Sequence, residues 1–288
     1  MVEPKFKRLK LFLGWTFGLS WTLALIFYLS GAQWGQGLST VLVGALYMAI
    51  PALCAIGIQK RFGQPLKESL RLSLRFNRWF LVAWLLPVVI ILLATGLSIL
   101  LPGVSFSPGM EGWAARFPDQ PLPDLPIHLY WLTLIQGLVA GVTINAVFAL
   151  GEEVGWRGLL LTELSHVGFW RASLIIGTVW GIWHGPLILQ GHNYPNYPVL
   201  GIFMMILFCI LMTPPLILVT QKAQSVVAAA IFHGTINALG ALPLLVIAGG
   251  NELGVGLTGL AGMGGLALIN LGIVLYRRGT RYRTIINH

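Results

Sequence analysis

An acidic pair, two histidines and an asparagine stand inside stretches of sequence that are otherwise apolar: Glu152 and Glu153 with Arg157, then His184, then His233 with Asn237. A carboxylate, imidazoles and a carboxamide are the parts of a hydrolytic site, supplying a base for water and donors for an oxyanion. Ionisable groups at membrane depth cost about 2.5–3.5 kcal/mol each on insertion scales, so keeping several of them in hydrocarbon is a functional signal by default. Spacing sharpens the signal. Glu153 and Arg157 are i, i+4 neighbours, a favourable orientation for a salt bridge, whereas Glu152 points about 100° away. Its own face carries Asn145 seven residues earlier, so a polar stripe descends along that helix. The arginine holds one carboxylate ionised, while the other, partly desolvated, is left to act as a general base. His233 and Asn237 are also i, i+4, so both side chains can converge on one point, as oxyanion donors must. Each group alone has a structural explanation, as a capped helix end or a polar contact between helices. Their joint occurrence points to chemistry.

The elements that must position these groups follow from composition. Of the 288 residues, 56% are hydrophobic and only 9% charged, and the mean hydropathy of +0.81 lies far outside the range of soluble domains. The expected fold is all-α, a polytopic integral membrane helix bundle forming a single domain over residues 1–288, with the motif-bearing core at about 127–249. A span takes about 20 apolar residues. Stretches of that kind run from about Leu11 to Leu29, Leu38 to Ile58, Trp79 to Leu101 and Ile127 to Leu150, then from about Ala172 to Leu189, Val199 to Val219, Val226 to Gly249 and Gly254 to Tyr276. About eight transmembrane helices are therefore expected. Threaded with both termini in the cytoplasm, they leave only Arg116 of the 18 Lys and Arg residues outside, as the positive-inside rule demands. The net charge of +9 is thereby explained by loops that meet anionic headgroups, and nucleic acid is not an expected partner. The basic start followed by an apolar run resembles a signal peptide, but the run is too long and lacks a cleavage site, so it reads as a retained first span.

No loop is long enough for a separate soluble domain. The loop from Gln59 to Arg78 mixes Leu66, Leu70, Leu72, Leu74 and Phe76 with basic residues; it is either a short helix in the headgroup layer or a basic connector. The loop from Pro102 to Pro126 is proline-rich and reads as an irregular cap. Trp15, Trp34, Trp79, Trp113, Trp131 and Trp170 sit near span ends as interfacial anchors. Cys54 and Cys209 fall mid-span without metal or redox spacing and read as packing residues. Gly177 and Gly181, i, i+4, would admit a neighbouring helix closely, on the face that also carries His184.

Three motifs, Glu-Glu-x-x-x-Arg at Glu152 to Arg157, Trp-x-x-x-His at Trp180 to His184, and His-x-x-x-Asn at His233 to Asn237, resemble those of the CPBP family, the ABI-type group of CAAX prenyl proteases and bacteriocin-processing enzymes. The resemblance covers about Gly151 to Gly240, with Trp180 where the second motif more often has Phe. It implies eight helices around a conical cavity open to the cytosol, and an intramembrane glutamate endopeptidase needing no metal or other cofactor. It further implies that Glu152 with His184 activates water, that His233 with Asn237 stabilises the oxyanion, and that Glu153 and Arg157 support Glu152. The expected partners are a peptide or lipidated protein substrate, reached from the cytoplasm, and membrane lipid; compact loops suggest a prokaryotic cell membrane.

Three rival readings start from the same residues. Glu152, His184 and His233 could ligate zinc, although no His-x-x-x-His spacing is present. A non-proteolytic immunity or scaffold protein would not need the full residue set. A transporter would place charges at the midplane, but no internal repeat accompanies them. At about 1.5 Å per residue, His233 lies about 10 Å and His184 about 18 Å from the cytoplasmic ends of their spans. For Glu152 to meet them, the fourth helix is expected to continue past Leu150 through Leu160, beside a water-filled cavity.

Overall fold

The computed structural model describes residues 2–35, 37–116 and 127–286. Ten helices carry the architecture: α1 (Val2–Leu29), α2 (Gly37–Arg61), α3 (Arg78–Ile99), α4 (Leu129–Val142), α5 (Ile144–Glu163), α6 (Phe169–Trp183), α7 (Gly185–Leu189), α8 (Pro198–Ala223), α9 (Val226–Leu239) and α10 (Leu260–Ile286). This is a polytopic helical bundle. Among the described residues, six single helices, together with the bent pair α4 and α5, are long and apolar enough to cross a membrane. The fifth expected span, from about Ala172 to Leu189, is not among them. Helix α6 has 15 residues, about 22 Å against a hydrocarbon core of about 30 Å, and α7 adds a short, separate segment.

Both breaks have local causes. At Thr143 the chain bends by 48°. There the Thr143 hydroxyl donates to the Val139 carbonyl at 2.7 Å and its amide reaches Ala140 rather than Val139, so side chain and backbone compete for the ladder. At His184 the break precedes Pro186, which has no amide hydrogen to continue the helix. The Trp183 carbonyl released there accepts from the Tyr47 hydroxyl at 2.7 Å and from Trp21 Nε1 at 3.3 Å. Neighbouring helices thus satisfy backbone that lipid could not.

Helix α5 continues from Glu153 through a π-helical stretch, Val154–Leu160, and ends at Glu163, so the acids lie inside a continuous helix. Small residues set it tightly in the bundle. A Cβ on Gly151 would lie 2.5 Å from the Met48 carbonyl oxygen of α2, and one on Gly234 of α9 would lie 2.5 Å from the Ala146 amide nitrogen of α5. Close approach of α6 to α8 rests on Gly177 and Gly181, whose added Cβ atoms would each fall 2.5 Å from a backbone Cα, those of Ile210 and Ile206. Gly181→Ala therefore forces the two helices apart, at about 1–3 kcal/mol. A lower midpoint of thermal unfolding in detergent, together with lost activity from the displaced His184, is the expected outcome.

The segment between α2 and α3 forms one short helical turn, Leu66–Ser69. Leu70 is fully buried, a Cβ on Gly158 would lie 3.0 Å from its carbonyl oxygen, and the Arg71 carbonyl accepts from the Val226 amide at 3.0 Å. The loop plugs into the bundle. On the opposite face, Ser105–Phe106 pairs antiparallel with Ile247–Ala248, which lies in the last part of the seventh expected span. The prolines at 118, 121, 123 and 126 lie outside the described residues.

Candidate active site

Trp180 is the hub around which the polar groups assemble. It lies one helical turn before His184, and its Nε1 donates to Glu152 Oε2 at 2.6 Å. The ring centroid is 5.7 Å from that of His184 and 5.3 Å from that of His233. The Arg157 guanidinium carbon lies 4.3 Å over the same ring, a cation–π contact made away from water. Glu152, Glu153, Arg157, Trp180 and His233 are all buried.

Two networks orient the acids and the imidazoles. In the first, Glu153 Oε1 accepts from Arg157 NH1 at 2.9 Å and from His233 Nδ1 at 2.8 Å, while Arg157 NH2 donates to Thr213 Oγ1 at 3.2 Å. The salt bridge expected from the i, i+4 spacing is present. Glu153 accepts from both Arg157 and His233, and the hydrogen bond that Glu152 receives comes from Trp180. In the second network, His184 Nδ1 meets the Trp180 carbonyl at 2.9 Å. A carbonyl only accepts, so His184 carries its proton on Nδ1 and keeps a lone pair on Nε2. His233 Nδ1 donates likewise to the Glu153 carboxylate, which turns its Nε2 away from Glu153.

Glu152, His184, His233 and Asn237 all line one cavity of about 460 Å³, within the usual size of a small-molecule or peptide-binding site. Asn237 is exposed into it, one turn along α9 from His233. Asn145, on the expected polar stripe, is not one of its walls. Most of the remaining wall is apolar and sulfur-rich, including Met48, Trp183, Met205, Phe208 and Met212. Trp34, expected as an interfacial anchor, lines the cavity wall with its ring 4.9 Å from that of His192. Cys209, expected as packing only, also reaches the wall.

Tyr47, Trp34 and His192 were not legible as site residues, because nothing in their own segments ties them to the motifs. His192 lies in the loop after α7, where burial pushes its imidazole down to about 3, leaving the ring neutral at physiological pH. Among the described residues, no three His, Cys, Asp or Glu side chains are grouped to share a metal ion.

The indole donor to Glu152 carries its own prediction. Trp180→Phe keeps an aromatic ring between the histidines but removes the 2.6 Å hydrogen bond. Loss of a hydrogen bond to a charged group costs about 1.5–3 kcal/mol, so kcat is expected to fall by about 10- to 100-fold. The unfolding midpoint should move far less than in Trp180→Ala, and an unchanged kcat would show that this contact does not position the acid.

Comparison with known proteins places this region. Residues 125–239 match the family model described as type II CAAX prenyl endopeptidase, Rce1-like. A CAAX prenyl protease 2 from Methanococcus maripaludis is 33% identical over 93 residues, 30% of this chain and 34% of the relative. The chain thus spans about a third of the length of the curated relative it matches.

Proposed function

We propose, from the chain's membership of the CPBP family through residues 125–239, that it is an intramembrane endopeptidase of CAAX type acting on a lipid-associated or membrane-embedded peptide. The observation that carries this reading is the convergence of Glu152, His184, His233 and Asn237 on one cavity within a bundle of apolar helices. Glu152 takes a proton from a water that also donates to the His184 Nε2 lone pair, and the hydroxide attacks the scissile carbonyl. The resulting oxyanion accepts from His233 Nε2–H and from the Asn237 carboxamide. Collapse breaks the C–N bond, and the amine leaves with the proton held by Glu152.

Each His role is supported by the partner of its other nitrogen. The carbonyl behind His184 leaves an acceptor facing the cavity, whereas the Glu153 carboxylate behind His233 takes up its Nδ1 and fixes the ring so that Nε2 serves the cavity.

The test is incubation of the purified protein with lipidated and unlipidated peptides, with products read by mass spectrometry beside Glu152→Ala. Cleavage that disappears in this variant and in His184→Ala and His233→Ala is expected. Full activity in Glu152→Ala would end the proposal, and co-purifying membrane proteins without any cleavage would favour the scaffold reading.

A further inference from the structure

We infer that a second, apolar groove on the surface of the bundle is a binding site for an anionic phospholipid, whose acyl chain lies between α3, α5 and α9 and whose phosphate is held by Arg75 and Arg78. The site is independent of the endopeptidase reading. Its groove shares no wall residue with the cavity that holds Glu152 and the two histidines.

The groove has a volume of about 500 Å³, within the range of ligand-binding pockets. Its walls include Val142 and Thr143 at the 48° bend, Val147 of α5, Phe80 and Trp84 of α3, and Ile231 of α9. A bend of that size parts a helix from neighbours it would otherwise follow. The polar side chains in these walls are already satisfied by protein: Trp84 Nε1 donates to the Leu138 carbonyl at 2.9 Å, and the Thr143 hydroxyl donates to the Val139 carbonyl at 2.7 Å. Every other wall side chain is apolar, so the interior suits hydrocarbon and gives a polar ligand no free donor. The wall residues Leu81, Val142 and Val147 are exposed, which opens the groove to the surface that lipid covers. Helix α5 thus turns Leu150 to this groove and Glu152, two residues on, to the catalytic cavity.

One end of the groove is rimmed by a basic segment pinned to the bundle. Between Arg71 and Arg78 the chain crosses from the start of α9 to the start of α3. The Arg71 carbonyl accepts from the Val226 amide at 3.0 Å, and the Ser73 carbonyl accepts from the Ser225 hydroxyl. The Asn77 carboxamide donates to the Ala223 carbonyl at 3.1 Å and caps α3 by accepting from the Trp79 amide at 2.9 Å. Phe76 of this segment is a wall residue, and Arg75 is its neighbour. Arg78 stands one turn before the wall residue Leu81, on the same face of α3. Both arginines are exposed, and among the described residues neither forms an ion pair. Glu68 is the single acid between α2 and α3. Two guanidinium groups at the mouth of an apolar groove complement a phosphate diester joined to hydrocarbon. A soluble anion would leave the groove unfilled, an uncharged chain would leave the arginines unmatched, and a zwitterionic headgroup would offset their attraction with its own cation.

Native mass spectrometry of the purified full-length protein in detergent, with dioleoyl phosphatidylglycerol or dioleoyl phosphatidylcholine added, tests the assignment. The anionic lipid should bind as a single retained molecule, about tenfold more tightly than the zwitterionic one, as two arginines beside the headgroup allow. Arg75→Gln combined with Arg78→Gln should abolish that preference. Lys60→Gln combined with Arg61→Gln, which removes the same charge from the end of α2, should keep it. Val147→Trp fills the groove from an exposed position and should weaken phosphatidylglycerol binding severalfold with the unfolding midpoint unchanged. Equal affinity for the two lipids would overturn the inference, as would a preference lost equally when either pair is neutralised. Wild-type binding by Val147→Trp would also overturn it, and a dimer mass that this variant dissolves would give the groove to a second copy of the chain instead.

Discussion

Glu152→Gln is expected to lower kcat by about 10²- to 10⁴-fold, the contribution of a positioned general base, with KM little changed and the protein still folded. The amide is isosteric with the acid and its oxygen can still accept from Trp180 Nε1, which lies 2.6 Å from the carboxylate in the native chain. The substitution therefore removes the proton acceptor without opening a cavity or leaving the indole unpaired. Asn237→Ala should cost about 10²- to 10³-fold in kcat by removing one oxyanion donor. Because Asn237 is exposed into the cavity, its loss should leave the unfolding midpoint in place. Steady-state kinetics beside thermal unfolding in detergent separates these effects from misfolding. An activity within threefold of wild type for Glu152→Gln would remove the carboxylate from the mechanism.

What the amino-acid sequence discloses about this site depends on whether the information lies within one helix or between helices. The i, i+4 pairing of Glu153 with Arg157 and the contact face at Gly177 and Gly181 are intrahelical patterns, and the structure contains both. The continuation of the fourth helix past Leu150 was also accessible, because Glu152 had to reach the depth of two histidines on other helices. The partner of Glu153 was not. Whether a carboxylate serves the acid beside it or a histidine 80 residues away depends on the rotational register of α5 against α9, and a bundle apolar on all sides leaves little periodicity from which to read that register. The place of Trp34 and His192 at the cavity was hidden for the same reason, since their contact joins two loops. The break at His184 did have a signal in Gly185–Pro186, which an uninterrupted apolar run obscured.

The largest expected effect on stability falls on Arg157. Its side chain and that of Glu153 are both fully buried, 2.9 Å apart, and the guanidinium also holds Thr213 and covers the face of Trp180. Arg157→Met leaves the Glu153 carboxylate with no full countercharge in a region without bulk water, and breaking such a pair from one side costs about 3–5 kcal/mol. Replacing both partners is far less costly, because no lone charge remains. Glu153→Gln combined with Arg157→Met should recover most of the lost stability, so a double-mutant cycle by thermal unfolding should give a favourable coupling well above 1 kcal/mol. Activity should not recover. His233 Nδ1 would then face a neutral amide in place of the carboxylate at 2.8 Å, the ring would lose the charge-assisted hydrogen bond that fixes it, and the oxyanion donor would be less well placed. A double variant as stable as wild type yet slower by about tenfold or more would separate the two duties of the buried ion pair, stabilising the bundle and orienting the histidine. Equal recovery of stability and rate would reduce Glu153 and Arg157 to structural residues.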